Sequence, residues 1–301
     1  GFSGEDLKSG VFAVPRDGGS QRTILNRLRR NSIEESRDGV TPSFPHGSTL
    51  AEIFLEECEK LRVSVDDLPD YYHWIRITYE RILTNGFGPG IDYADARKLR
   101  AWERLTEEQR AEIARTGKAA TCWGVLPMGD RNSVSFAQEA HANLLRQGGG
   151  LANEELIVYR RPWPAGKTAE GVMVDDHAVV HKARANESKA AAEEALQRVS
   201  GENDAEGADV ARDMELVARS LRAYRRHGLA PKPAKSVRFE DGQIDLWGAT
   251  VHGTEGWVRG KLTVLWRAIL VTLELKRLCG ERSSKQTCTF NNCTKNLSGI
   301  E

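Results

Sequence analysis

The stretch Gly171-Val-Met-Val-Asp-Asp-His-Ala-Val-Val180 decides how this chain reads. Two adjacent carboxylates, Asp175 and Asp176, are flanked by Val172 and Val174 on one side and by Val179 and Val180 on the other. β-Branched residues on both sides of a short polar centre predict two strands meeting at a hairpin turn. Such a turn pushes acidic side chains toward a cleft, where divalent cations bind phosphates. The plain alternative is a solvated Asp-Asp turn, and the pair alone does not choose between the two.

Bulk properties bound the answer. At 301 residues the chain can form one large domain or two small ones around a substantial core. Lys+Arg and Asp+Glu both number 43, so a nucleic-acid partner would have to be met by segregated basic groups rather than by net charge. Arg27, Arg29 and Arg30 form one cluster, Arg160 and Arg161 a second, and Arg222, Arg225, Arg226, Lys232 and Lys235 a third; each is otherwise a solvated face. Five cysteines at spacings that match neither a disulfide framework nor a zinc site fit a reducing, cytoplasmic or nuclear compartment. No secretory signal and no apolar run of spanning length is present, so no membrane partner is expected. Leu262–Leu275 is interrupted by Arg267 and Glu274 and predicts an amphipathic helix. The chain opens on Gly1, as a fragment, a processed product or an incomplete gene model would.

Along the chain, residues 12–15 and 22–25 predict two strands around a Gly-rich turn. Leu50, Ile53, Phe54 and Leu61 have helical spacing, with Ser48 or Thr49 as N-cap. Residues 62–67 predict a strand, 71–83 a helix, 96–117 a charged helical region and 133–147 a helix with Phe136, Ala140 and Leu144 on one face. Residues 156–159 and 172–174 predict strands. Residues 183–226 are Ala-, Glu- and Arg-rich helix broken at 201–207, closed by His227-Gly228 and kept from continuing by Pro231 and Pro233. Residues 237–250 are strand-like around a Gly turn, and everything from Glu281 on is polar and expected to lack structure.

Three further pieces carry chemistry. In Val65-Asp66-Asp67-Leu68-Pro69-Asp70-Tyr71-Tyr72 a strand ends on acid just before a helix. A carboxylate at a strand end is rigidly held, as metal-assisted phosphoryl transfer requires, while the alternative makes Asp67 or Asp70 a helix N-cap. Leu126-Pro127-Met128-Gly129 precedes a helix and lets backbone approach a ligand closely. Gln138 lies nine residues beyond Gly129.

In this order, strand-Asp67-x-x-Asp70-Tyr-Tyr72, Leu-Pro-Met-Gly129 with Gln138 beyond it, and Met173-Val-Asp175-Asp176 resemble the palm of reverse transcriptases. Phe12–Arg16 and Arg22–Leu25 resemble the fingers hairpin, Gly228-Leu229 followed by Lys235 the lysine-bearing turn, and Leu246-Trp247-Gly248 with Gly253 the primer-grip hairpin. The resemblance covers residues 11–255 and is closer to retroelement enzymes than to RNA-copying polymerases, which carry a longer gap in the first motif and a Gly before Asp-Asp.

The resemblance implies an α+β, right-hand polymerase fold, an antiparallel palm sheet backed by helices. Residues 1–60 would supply fingers elements, 61–245 the palm with inserted fingers helices at 96–125, 246–282 the primer grip and a partial thumb, and 283–301 a disordered tail. Asp67, Asp175 and Asp176 would hold two Mg²⁺ ions, with Mn²⁺ as a substitute, about 3.5–4 Å apart. Ordinary carboxylate pKa values near 4 would suffice. Arg16 and Arg22 would hold the triphosphate, a task suited to guanidinium geometry. Tyr72 would exclude a 2′-hydroxyl, or else be a core aromatic; Met128, Gly129 and Gln138 would complete the substrate site. Lys235 would protonate pyrophosphate, or else be a solvated lysine. Leu246, Trp247, Gly248 and Gly253 would hold the primer. The partners implied are a primed RNA or DNA template, deoxynucleoside triphosphates and other parts of a retroelement polyprotein.

The sequence departs from the family pattern in places. Asn26 stands for an Asp and Leu28 for an Arg, which points to a missing ion pair; Met173 stands for a Tyr and Met128 for a Gln. The leading reading is therefore an RNA-directed DNA polymerase. Beside it stand a catalytically inactive, decayed or domesticated relative that binds nucleic acid, a polymerase of ribonucleotides, and an unrelated α+β protein.

Overall fold

A computed structural model describes residues 8–15, 19–37, 44–199 and 210–282. In chain order, β1 (Gly10–Pro15), β2 (Gln21–Asn26) and α1 (Leu28–Asn31) come first, followed by a 3-10 turn at Gly47–Glu52 and β3 (Glu59–Asp67). Next are α2 (Tyr71–Trp74), α3 (Tyr79–Leu83), β4 (Ile91–Asp92), α4 (Tyr93–Ala96), α5 (Glu107–Thr116), β5 (Lys118–Ala119) and α6 (Ser133–Gln147). The chain continues through β6 (Thr168–Met173), β7 (Asp176–Arg184), α7 (Lys189–Val199) and α8 (Arg212–Arg226). It ends on β8 (Val237–Glu240), β9 (Gln243–Leu246), β10 (Ala249–His252), β11 (Trp257–Gly260) and α9 (Leu262–Arg282).

An antiparallel sheet in the order β6-β7-β3-β8 is central. Strand alternation gives it two faces. Leu61, Val63, Ala169, Ala178 and Val180 form one face and pack against Leu50, Ile244, Leu246, Trp247, Ala249 and Val251. That second layer comes from the 3-10 turn and the small sheet β11-β10-β9. The opposite face is covered by helices: Val179 packs with Ala195, Leu196, Leu216 and Val217 of α7 and α8, and Val172 with Ala137 and Leu145 of α6. Polar residues on this helix-covered face find partners. Arg62 forms two hydrogen bonds with Asp213 of α8 at 2.8 and 2.9 Å, and Asp66 accepts from Arg238 at 2.6 Å. Asp66 is thereby committed to the sheet.

Local expectations are corrected where tertiary pairing competes. The spacing of Leu50 to Leu61 is not one helix: the 3-10 turn ends at Glu52, and Leu61 lies in β3, buried in the sheet. His46, not Ser48 or Thr49, is the cap, its ring nitrogen accepting the Ser48 N–H at 3.1 Å. The helix expected over 71–83 is split, because Ile75 O accepts from Leu126 N (2.8 Å) and the Thr78 side chain caps a new helix. Residues 156–159 make a single bridge, Leu156 to Glu170, rather than a strand. Helix α6 has the expected bounds, but its fully buried face is Ala137, Gln138, His141, Ala142 and Leu145, with Phe136, Ala140 and Leu144 at its margin. Helix α8 is closed by Gly228 in a left-handed conformation, with Leu229 N–H on Tyr224 O (2.9 Å). Cys58 and Cys122 are free thiols. Helix α9 exposes Leu262, Leu265, Trp266, Leu270 and Leu273. Among the described residues no helix is long and apolar enough to cross a membrane. The tail 283–301 lies outside the described residues.

Candidate active site

Strands β3 and β7 pair in a register that sets Asp67 directly opposite Asp176. Both carboxylates therefore leave the same face at the same end of the sheet, with Cβ atoms about 4.5–5.5 Å apart. Asp175 stands at the turn between β6 and β7, and its carbonyl accepts from Leu68 N at 3.0 Å, carrying the ladder past the strand end. The turn demands φ +57° of Val174, an unusual conformation for a β-branched residue. Gln138 holds it there: Oε1 accepts Val174 N–H at 2.7 Å, and Nε2 donates to Val172 O at 2.8 Å.

The facing wall is the β1–β2 hairpin. Leu25 N–H donates to Met128 O at 3.1 Å, so the Leu-Pro-Met-Gly turn docks on β2 by main chain. Gly129 is required at that contact, since it has φ +99° and a Cβ there would lie 2.3 Å from Leu25 O. Between the walls is a cleft of about 1110 Å³ lined by Arg22, Asp67, Tyr72, Met128, Gly129, Asp175 and Lys235, among others. Lys235 is brought in by the turn after α8, where Lys232 N–H donates to Asp67 O at 2.9 Å.

Charge in the cleft is arranged tightly. The Lys235 ammonium hydrogen-bonds the Asp67 carboxylate, which raises the lysine pKa. Burial pushes Asp175 up, with Asp67 adding to it. Burial, then the neighbouring Asp175 and Asp67, push Asp176 up to about 6, so the expectation of ordinary carboxylates does not hold in the absence of a cation. Burial and then Asp175 raise the Tyr72 phenol, whose side chain is hydrogen-bonded to Ser133. Among the described residues no three His, Cys, Asp or Glu side chains are already gathered as a cation site. The donor chemistry nevertheless suits a hard cation, being all carboxylate, and the Lys235 ammonium occupies Asp67 as a cation would.

No family model matches the chain, and no curated protein matches it. Among solved structures it is similar to the foamy viral protease-reverse transcriptase. In two complexes of that protein with double-stranded DNA the TM-score is 0.48 at 14% identity, covering 83% of this chain and 30% of the other, and 84% and 36%, respectively. In a complex with an RNA/DNA hybrid it is 0.42 at 14% identity, covering 81% and 22%. The chain thus spans about a third or less of those chains, and a likeness of this size carries no weight for activity.

The cleft does not gather every residue the sequence nominated. Arg16 lies outside the described residues. Gln138 is buried with both amide ends spent on the hairpin, so it does not reach a substrate. Leu246 and Trp247 are core residues, the indole lying over Gly171. Gly253 is pressed against β3, where a Cβ would lie 2.0 Å from Leu61 O, and only the turn residue Gly248, at φ +82°, is left open. As placed, Leu246, Trp247 and Gly253 fasten a hairpin to the sheet and offer no side chain to a primer.

The cluster that sequence reasoning missed is Arg27 with Glu34, Arg81 and Asp130. Arg27 is not a groove cation: it is 1% exposed, bonded to Asp130 and, at 2.8 Å, to Glu34. Arg81 bonds the same two acids. The group ties the base of the β1–β2 hairpin to the turn after Gly129. The available signal was Arg27 and Asp130, opposite charges each directly following a segment that docks on the other.

Proposed function

We propose that this cleft carries out nucleotidyl transfer, as an RNA-directed DNA polymerase of retroelement type adding deoxynucleotides to a primer 3′-hydroxyl. The observation that carries the reading is the placement of Asp67 and Asp175 at one end of the central sheet, lining a single cleft with Arg22, with Asp176 paired directly opposite Asp67. Burial and the neighbouring carboxylates push Asp175 and Asp176 up, a load that a bound cation would relieve and a solvated turn would not carry.

Two Mg²⁺ ions held by Asp67, Asp175 and Asp176, or Mn²⁺ in their place, would supply charge neutralisation and activation of the 3′-hydroxyl. The chain's own residues do the rest. Arg22 on β2 meets the triphosphate oxygens. Met128 presents its thioether side chain and Gly129 its main chain to the nascent base pair. Tyr72 lies beneath the sugar and closes the space a 2′-hydroxyl would need. Lys235, bonded to Asp67 at the edge of the cleft, would give a proton to the departing pyrophosphate. Such chemistry is positioning and electrostatics with little covalent work for the protein.

The Lys235–Asp67 ion pair favours a second reading, a nucleic-acid-binding protein without activity, in which the ammonium permanently takes the cation's place. Primer extension on an oligo(dT)-primed RNA template with Mg²⁺, beside Asp175→Asn/Asp176→Asn, separates them. Extension lost in the double variant supports the polymerase. No extension by the unmodified chain, with salt-sensitive binding of the primer-template, supports the inactive binder and refutes the first reading.

A further inference from the structure

Behind the hairpin, on the side away from the cleft, lies a buried polar group that the proposed chemistry does not use. His141 on α6 and Tyr224 on α8 are both 0% exposed. His141 Nδ1 is 2.8 Å from Val174 O, and Nε2 is 2.9 Å from the Tyr224 hydroxyl. A carbonyl oxygen only accepts, so Nδ1 carries the hydrogen; the neutral ring's Nε2 then accepts from the Tyr224 O–H. Burial, and then His177, push His141 down to about 3, which keeps the ring neutral at ordinary pH. The rings of Tyr71, Tyr224 and His177, at 5.3, 5.6 and 6.4 Å, leave the imidazole little room to turn.

We infer that His141 is a positioning residue for Asp175, with Tyr224 fixing the tautomer that lets it act. Val174 precedes Asp175 and holds φ +57°. Gln138 grips its N–H and His141 its carbonyl, so both polar groups of the strained residue are fastened to one helix face, three residues apart on α6. Released on the carbonyl side, Val174 relaxes toward negative φ and swings the peptide leading into Asp175. Misplacing a reacting group by about 1 Å can cost on the order of a hundredfold in rate. The inference rests on the proposed transfer at the Asp67/Asp175 site, and its test separates the two.

The full chain labelled with ¹⁵N-histidine is examined by long-range ¹H–¹⁵N correlation at pH 7, with His141→Asn identifying the signal by its loss. Primer extension is then run for the unmodified chain, His141→Leu, His141→Asn and Tyr224→Phe. An Nδ1–H tautomer is expected, giving way to a tautomer mixture in Tyr224→Phe. His141→Leu should lower kcat on the order of a hundredfold, with the KM for nucleotide within about twofold. Asn places an N–H where Nδ1–H was, so His141→Asn should recover most of that loss. An Nε2–H or cationic His141, or an Asn variant no better than Leu, overturns the inference even if the Leu variant folds poorly. An unmodified chain that extends no primer while showing the Nδ1–H signal overturns the polymerase reading and, with it, the positioning role of His141, leaving only the contact.

Discussion

Arg27→Met tests whether the hairpin that faces the acidic residues is held by charge. The Arg27 and Asp130 side chains are both 0% exposed, and Glu34 is 10% exposed. Burial pulls the Arg27 pKa down against the pull of Asp130 and Glu34, so the pair is held under a desolvation load. Methionine fills much of the same volume without the charge. Removing one partner of a buried pair costs about 3–5 kcal/mol, mostly from the charge left behind. Here Arg81 stays bonded to Asp130 and Glu34, which puts the expected loss near the lower end, about 3 kcal/mol. For a protein of this size about 1 kcal/mol moves Tm by roughly 2–4 °C, so the melting point should fall by roughly 6–12 °C. Thermal and urea unfolding measure it. Arg27→Met/Asp130→Leu should restore most of the loss, because no charge is then buried alone. A single variant that costs under about 1 kcal/mol, or a double variant that costs the sum of its parts, would refute the argument.

Three further outcomes follow from the cleft. The folded pKa of Asp176, about 6, exceeds its unfolded value of 3.8, so the folded state holds this proton more tightly; the stability it contributes is full below about pH 4 and lost as pH rises through about 6. In metal-free buffer Asp176→Asn should therefore be more stable than the unmodified chain at pH 7.5, by about 1–3 kcal/mol, with a flatter melting profile between pH 4 and 6; equal stability at pH 7.5 would contradict this. Gly129→Ala drives a Cβ against Leu25 O at φ +99° and should cost about 1–3 kcal/mol or displace the hairpin, which unfolding and the nucleotide KM report. Tyr72→Val should admit ribonucleotides in primer extension, and unchanged sugar discrimination would remove Tyr72 from the sugar site.

Legibility of the fold followed sequence separation. Helix α6 was readable to its ends, because its helical pattern lies within one uninterrupted segment, although the face read from it is the margin of the buried one. The Asp175-Asp176 hairpin was readable for the same reason, its two strands being neighbours in sequence. The expected helices over 49–61 and 71–83 failed where distant partners intervened. Leu61 N–H donates to Gly253 O at 3.0 Å, and Ile75 O is taken by Leu126. Apolar spacing records which residues are inside but not what covers them, and a strand paired on both sides outweighs a local helical period.

The same limit shaped the reading of the site. Asp67, Tyr72, Gly129 and Asp175 could be nominated because each sits at the end of a short local pattern. The ion pairs could not, since Asp67 meets Lys235 and Arg27 meets Asp130 only after folding. The substitutions at 26 and 28 show how this misleads. Asn26 and Leu28 in place of charged residues suggested a lost ion pair. Along β2 and into α1, however, Leu25 and Arg27 face inward while Asn26 and Leu28 face solvent. A shift of one residue changes the face, so the charge at Arg27 enters the interior where charges at 26 and 28 would lie outside. Its counter-charge is supplied by Asp130, the residue directly after the glycine that β2 docks upon. The hairpin has an ion pair after all, drier and more costly to break than one between surface residues, and the four-charge group around it ties the base of the hairpin to the turn after Gly129.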